Sequence, residues 1–552
     1  MVENKIGGKF LAILENIYTE NRIFVKVGGG LTQPFTTTTG VKQGCVLSPC
    51  IFNLFINKIP EIYDESCEPV IFSGTPLPAL IWADDLVCFS MSASGLKNAI
   101  MKTKQYFDMM DLSINTKKTK VMIFNKSGNV LKENPEHTFY CGDTLLEVVG
   151  QYTYLGVIIK PSGSFNNAID ELHTKSSKAW FSISNFIYQN KKMPVVKALS
   201  IFDSLVKPIS MYCSELTLPY LFTEKNFEDK TFLEFWENYK PELLNQKICR
   251  MLLSVQKKAS RLAVLGEIGR YPLLLSALAN VFKYEHSLRS RQAENTVISS
   301  ILREMENCVR VGQDCWLTRV QKIKDGINIK VSGSHKNKNI SHLLKKQLNS
   351  KFEKLWLDSI NLVKMKNGHD SNKLRFYKCF KGSFKQEPYI SLVNNRNQRC
   401  QLSRVRISAH NLAIERSRYS TEYIPPEMRK CTYCTLECTD SEVHFLTQCP
   451  TFEFKRNCYK GKMKSVGINI DSYDSYSQAA IMLCPTSAKQ AKITNKFIDI
   501  MFKTREQVDE GATTIECIKI NNFHQPTDEY DDKDSTFNNI SLDSNFDIET
   551  DD

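Results

Sequence analysis

The sequence predicts an α+β protein, and three observations carry that prediction. Between residues 20 and 160 the apolar residues come in short runs of strand length, broken by Gly, Pro and polar pairs. From residue 165 to residue 363 they recur instead at three- and four-residue spacing, as on buried helix faces. Near the C-terminus, Cys431, Cys434, His444 and Cys449 are spaced like the ligands of a structural zinc ion.

Composition bounds the remaining choices. A chain of 552 residues can bury a sizeable core and form about two to four domains. With 24% charged and 42% hydrophobic residues it is globular, not wholly disordered. No apolar run approaches the ~20 residues of a membrane-spanning helix, so no membrane partner is expected. The first residues lack a secretory pattern. A nuclear or cytoplasmic setting is therefore expected, with the 18 cysteines as reduced core residues or metal ligands. Net charge is +12, yet residues 527–552 hold ten acids against Lys533, which leaves +21 for the rest. Such a surplus suits a polyanion; a generic basic surface is the alternative.

Taken in order, residues 7–20 read as an amphipathic helix with Phe10, Leu11, Leu14, Ile17 and Tyr18 on one face. Residues 22–27 read as a strand, glycines 28–30 as a turn and residues 34–39 as a polar return strand. Residues 40–49 then form a loop opening an apolar helix over residues 50–63. Gly40 and Gly44 let a backbone approach a ligand closely, while Lys42 and Gln43 offer a charge and an amide donor. Ser48 followed by Pro49 reads as an N-cap and a first-turn proline. A loop of this kind can hold phosphate, although most are only turns.

The apolar runs at residues 77–82 and 86–91 predict a β-hairpin with Asp84 and Asp85 at its turn. Adjacent anions repel, and a hard cation such as Mg²⁺ relieves that repulsion with oxygen ligands. A solvated acidic turn is the competing reading. Residues 96–110 read as a helix, followed by a loop with Lys117, Lys118 and Lys120, a strand at 121–124 and another at 154–158. Gly156 in that last strand marks a close approach.

Residues 165–220 and 232–264 are helical in pattern, with a turn expected at 266–273. Residues 322–385 carry 16 Lys and Arg against four acids. Within them Ile340, Leu344, Leu348, Phe352, Leu355, Trp356, Ile360 and Val363 form one stripe, so the other face is basic, as phosphate binding requires. The cysteine–histidine pattern is C-x2-C-x9-H-x4-C, which closes a tetrahedral shell and leaves no position open for catalysis; Cys438 is an alternative ligand. Residues past 525 are acidic and poor in core formers, so disorder is expected there.

Residues 40–49 with Phe52-Asn53, then Ala83-Asp84-Asp85, residues 112–120 and Tyr154-Leu155-Gly156 resemble, in order and spacing, the later palm motifs of reverse transcriptases. They are most similar to those of non-LTR (LINE-type) retrotransposon polymerases. The resemblance is specific at the motifs and looser between them, over roughly residues 5–510. It implies a right-hand polymerase palm over 1–160, an antiparallel sheet with helices. A helical thumb over 161–300 follows, with residues 205–212 carrying the likeness. A basic helical connection over 301–400, a zinc-binding domain over 401–510 and an acidic tail over 511–552 complete the chain.

The resemblance also implies roles. Asp84, with Asp85 beside it, would hold Mg²⁺ or Mn²⁺ for two-metal nucleotidyl transfer. Gly40, Lys42, Gln43, Gly44 and Ser48 would lie along the deoxynucleoside triphosphate and an RNA template paired with a DNA primer. Lys117, Lys118 and Lys120 would meet phosphates, and Tyr154, Leu155 and Gly156 would form the primer-grip strand. Residues 403–406 and 408–411 resemble the approach to the family's zinc domain, with Cys431, Cys434, His444 and Cys449 as the ligands. One departure matters. The family's first metal-binding Asp lies upstream of the Gln43-Gly44 loop, whereas here no Asp precedes Asp64, and residues 1–40 hold only Glu3, Glu15 and Glu20. The chain therefore reads as an N-terminally truncated, catalytically impaired polymerase. Its alternatives are a non-enzymatic nucleic-acid-binding protein and a zinc-stabilised scaffold.

Overall fold

The computed structural model describes residues 6–511 apart from 20, 38, 126–134, 223–234, 294, 330–336, 367–368 and 371. The acidic tail lies outside the described residues. The chain divides into two compact units. Unit 1 comprises Met1–Ile183, Ile201–Asn245 and Tyr271–Phe352; unit 2 comprises Ser184–Ser200, Gln246–Arg270 and Glu353–Asp552.

Unit 1 begins with helix α1 (Gly8–Thr19), of which only Leu14 is buried. Strand β1 (Asn21–Ile23) pairs with β4 (Phe35–Thr37), and β2 (Lys26–Val27) with β3 (Gly30–Leu31), around the predicted glycine turn. Helix α2 (Ser48–Ile56) is shorter than expected, because Pro60 removes an amide donor and the chain continues as a 3₁₀ turn at Ile59–Ile62. Two hairpins follow: β5 (Val70–Phe72) with β6 (Thr75–Leu77), and β7 (Ala79–Trp82) with β8 (Asp85–Cys88). Helix α3 (Ala93–Met109) is capped by Ser92, whose hydroxyl accepts from the Gly95 amide at 3.0 Å.

The expected antiparallel palm sheet takes another form. The strands make separate hairpins and one three-stranded sheet ordered β10 (Phe139–Cys141), β11 (Thr144–Val148), β9 (Lys120–Val121), in which β11 and β9 run parallel. Its core is Val121, Phe139, Cys141 and Leu146, closed by Leu96 and Ile100 of α3. Residues 154–158, expected as one strand, form a further tight hairpin, β12 (Tyr152–Tyr154) with β13 (Val157–Ile159). Leu155 (φ +47°) and Gly156 (φ +82°) both turn left-handed, which splits the run.

Beyond residue 165 the chain is mainly helical, as predicted. Gly266 is an exception to the expected turn. It lies inside the helix Arg261–Ile268, where a Cβ would stand 2.6 Å from the Trp356 ring, and the turn falls at Gly269 (φ +67°). The basic region contains the helix Asn337–Asn361, with Leu344, Leu348, Phe352, Leu355, Trp356 and Ile360 all buried. The stripe stops there, since Val363 is exposed, and the side chain of Ile340 lies outside the described residues. No single helix among the described residues is long and apolar enough to cross a membrane. No disulfide links the described cysteines.

Candidate active site and metal centre

The Asp pair lies on the expected hairpin, but only Asp84 is in its turn, and Asp85 is the first residue of β8. Trp82 pairs with Asp85 in the β7–β8 register, so Ala83 and Asp84 are the two turn residues. Ala83 takes φ +53°, a conformation an L-residue with a Cβ adopts only under constraint. Both carboxylates are exposed. The hairpin is tied to α3 through Tyr63, whose hydroxyl lies 3.1 Å from Cys88 Sγ and 2.9 Å from Thr103 Oγ1. Burial raises the pKa of that phenol, so it stays protonated as a donor.

The β12–β13 hairpin senses the charge of the Asp pair. The pKa of Tyr154 is raised, first by burial and then by the negative charge of Asp85. Tyr212 holds this tip from the far side of the sequence. Its hydroxyl donates to the Leu155 carbonyl at 2.7 Å, and its ring lies 3.5 Å from where a Gly156 Cβ would stand. The expected close approach at Gly156 is therefore the Tyr212 ring.

The 40–48 loop is built around Tyr18. Gly40 (φ +83°) and Gly44 (φ +80°) both need left-handed backbone, and Lys42, Gln43 and Gly44 are exposed. Ser48 is not the N-cap that the sequence suggested. It is the first helical residue, and its hydroxyl donates to the Lys42 carbonyl at 2.7 Å, which folds the loop back onto α2. The Tyr18 hydroxyl lies 3.1 Å from Ser48 Oγ, and the Lys42 ammonium lies 5.7 Å from the Tyr18 ring centre. Among the described residues no hydrogen bond joins this loop to Asp84 or Asp85.

Lys117 and Lys118 are exposed, whereas Lys120 is paired with Glu147 at 2.7 Å across the β9–β11 register. Asp64 is already engaged. Lys102 and Ser66 both donate to its carboxylate and lower its pKa to about 2.

In unit 2 the four predicted zinc ligands converge. The ligating atoms of Cys431, Cys434, His444 and Cys449 all lie within 4.8 Å of one another. A tetrahedral ion with bonds of about 2.0–2.3 Å holds its ligands about 3.3–3.8 Å apart, so the set fits with small movements. His444 opens a single π-helical turn, and the Cys449 amide donates back to its carbonyl at 2.9 Å. Cys434 Sγ lies 3.6 Å from His444 Nε2, while Cys438 Sγ lies 3.0 Å from Nδ1 on the other side of the ring. A hydrogen bond from Cys431 lowers the Cys449 thiol, and the same contact with burial pushes Cys431 up to about 12.

Two features of this module have no signal in the spacing. Arg505, from the helix Ala488–Asp509, donates to both oxygens of buried Asp440 at 2.9 and 3.0 Å. Its guanidinium stacks over Tyr433, Phe445 and Phe452, 3.9 Å from Cys431 Sγ. Glu442 collects Arg375 (2.9 Å), Ser408 (3.1 Å) and His410 (3.1 Å). The 403–411 segment therefore braces the module. Arg406 in it is fully buried against Glu267 (2.8 Å) and Glu387 (2.6 Å).

The reverse transcriptase (RNA-dependent DNA polymerase) family matches residues 6–159, the stretch that holds both hairpin tips and the glycine loop. This part of the chain therefore carries the likeness to the reverse transcriptase family. Its kinship is with non-LTR retrotransposons. It is 25% identical over 158 residues to a retrovirus-related Pol polyprotein from a type-2 retrotransposable element of Drosophila melanogaster, covering 28% of this chain and 15% of that protein. It is 28% identical over 95 residues to the Pol polyprotein of a type-1 R2 element of Popillia japonica, covering 17% of this chain and 16% of that protein. A transposon-derived protein of Caenorhabditis elegans is 28% identical over 146 residues, 26% of this chain and 50% of that protein. The match therefore spans half or less of each relative.

Proposed function

We propose that the chain is the polymerase and C-terminal portion of a retrotransposon reverse transcriptase, acting on an RNA template, a DNA primer and deoxynucleoside triphosphates. The observation that carries this reading is the family match over residues 6–159, within which Asp84 and Asp85 stand exposed on one hairpin. Asp84 and Asp85 would hold Mg²⁺, or Mn²⁺, whose chemistry is to neutralise the triphosphate and activate the primer 3′-oxygen. Tyr154, Leu155 and Gly156, fixed by Tyr212, would press on the primer end. Gly40, Lys42, Gln43, Gly44 and Ser48 would line the nucleotide, and Lys117 and Lys118 would meet phosphates. In unit 2, Cys431, Cys434, His444 and Cys449 would hold one structural zinc, with Cys438 orienting the imidazole. The palm, thumb, connection and zinc domains carry the boundaries given above.

A second reading is favoured by one observation. Residues 1–63 contain no Asp, Asp64 is engaged by Lys102 and Ser66, and among the described residues no group of three His, Cys, Asp or Glu side chains gathers at the hairpin. On that reading the 552-residue polypeptide by itself binds nucleic acid without extending a primer. Losing one metal-binding carboxylate costs about 10³-fold or more in rate. Primer extension on poly(rA)–oligo(dT) with Mg²⁺ or Mn²⁺ separates the two. The expected result is extension near background. Robust extension abolished by Asp84→Ala would refute impairment and establish a substitute ligand.

A further inference from the structure

We infer that unit 2 carries a separate contact for single-stranded nucleic acid, in which an unpaired base stacks on Tyr419 while Lys258 and Lys373 hold the flanking phosphates. The inference rests on the nucleic-acid reading above only for the class of polymer. The residues lie far along the chain from the reverse transcriptase match.

Tyr419 ends the short turn Ser417–Tyr419 and is 54% exposed. The Lys258 ammonium lies 4.3 Å from its ring centre. The Lys373 ammonium lies 6.0 Å from that centre and 3.4 Å from the hydroxyl, and it also donates to the Lys258 carbonyl at 3.0 Å. One aromatic face is thus flanked by two cations from two other segments. This is the pairing of π-surface and charge that an unpaired base with its two phosphates requires.

The surroundings extend the positive charge. Lys257 is exposed beside Lys258, and Lys247 is close enough to Lys257 for burial and that like charge to lower its pKa. None of these four lysines has a carboxylate partner among the described residues. A cluster of like charges left without counter-ions in the protein is stabilised by a polyanion that supplies them.

The platform is rigid because what lies beneath it is buried and ionic. Arg418, next to Tyr419, pairs with Glu415 at 2.8 Å and donates to the Asn372 carbonyl at 3.3 Å. Arg375 pairs with Glu415 at 2.7 Å and Glu442 at 2.9 Å. Asn372, itself buried, donates to the Ile360 and Leu362 carbonyls at the end of the long basic helix. The segments bearing Lys373 and Tyr419 are therefore fastened to each other before any ligand arrives. Ordering two long side chains is a smaller cost when their backbones are already fixed.

Fluorescence anisotropy of a labelled oligo(U) RNA and an oligo(dT) DNA, titrated with the full 552-residue chain at rising salt, tests this directly. Tyr419→Ala is expected to weaken both by about tenfold, and Tyr419→Trp to restore the affinity. Lys258→Gln with Lys373→Gln is expected to reduce the salt slope by about 1.4, at ~0.7 per phosphate for single strands. Photocrosslinking of 5-iodouridine RNA to the unaltered chain should place the adduct on the Tyr419 peptide, which keeps the test independent of any variant's folding. Because primer extension is not the readout, binding without polymerisation supports the site. Unchanged affinity in Tyr419→Ala, an unchanged slope in the double variant, or adducts only elsewhere would overturn it. Displacement by poly(L-glutamate) as effective as by unlabelled oligo(U) would also overturn it, since a plain basic patch has no use for a base.

Discussion

Arg505→Ala is expected to loosen the zinc module from the C-terminal helix and to weaken its metal. The arginine is 5% exposed and Asp440 only 2%, so the pair is held out of water. Removing the guanidinium leaves Asp440 with a single retained bond among those described, from the Ala413 amide at 2.8 Å. Leaving one partner of a buried pair uncompensated costs about 3–5 kcal/mol, a large share of the ~5–15 kcal/mol that holds a typical domain folded. The metal is affected by a second route. Burial first lowers the Arg505 pKa, but the Asp440 contacts and the charges of Cys431 and Cys449 outweigh it, so the net shift is upward. By the same coupling Arg505 favours the thiolates that zinc requires, and groups in that position typically contribute 10–100-fold to metal affinity. Urea unfolding followed by far-ultraviolet circular dichroism reads the first effect. Competition for zinc against a chromogenic chelator reads the second. Arg505→Lys keeps the charge but not the planar fork or the stacking on three rings, so it should recover only part of each. An Arg505→Ala protein that resists chelator and urea as the unaltered chain does would refute the reasoning.

Three further outcomes are expected. Metal analysis should find one zinc per chain and none in the Cys431→Ser, Cys434→Ser double variant, whereas full zinc in that variant would remove both from the ligand set. Reversing Lys345, Lys346 and Lys354, all exposed on the helix Asn337–Asn361, should reduce the salt slope for an RNA–DNA duplex by roughly 2–3, at ~0.9 per phosphate; an unchanged slope would show that this face is merely solvated. Burial pushes the Glu442 pKa up, but Arg375 and His410 more than reverse this and leave it well below the usual carboxylate range. Its contribution is therefore fully present above the unfolded value near pH 4.3 and is lost as pH falls through the folded one. Stability of the zinc-free chain should drop in acid, and Glu442→Gln should flatten that drop while lowering the plateau.

What was legible in the sequence followed from short-range chemistry. The Asp84-Asp85 turn, the C-x2-C-x9-H-x4-C set and the buried stripe of the basic helix are each fixed by spacing along one segment. Strand pairing was less legible, because register depends on partners far along the chain. Thus β9 beside β11, in parallel, had no local mark. Ser48 looked like an N-cap because its type and the following proline fit one, yet the Lys42 carbonyl competed for its hydroxyl. Arg505 and Tyr419 carried no motif at all, and Tyr212 carried only the thumb likeness of residues 205–212. Their roles arise from residues 46 to 161 positions away, and only the fold brings those together.

The two hairpin tips show how the fold commits stability to one place. Ala83 and Leu155 both sit at φ near +50°, and neither is a glycine. A left-handed residue with a Cβ costs about 1–2 kcal/mol, and nearby sequence could have avoided it with Gly or Asn. Strain of this kind persists only where neighbouring contacts hold it. At Leu155 the holder is visible, the Tyr212 hydroxyl on its carbonyl. At the β7–β8 hairpin the Tyr63 hydroxyl lies against Cys88, at the end away from the turn, so it anchors the hairpin and not its tip. After burial, the negative charge of Asp85 also raises the Tyr154 pKa, which couples the two hairpins electrostatically.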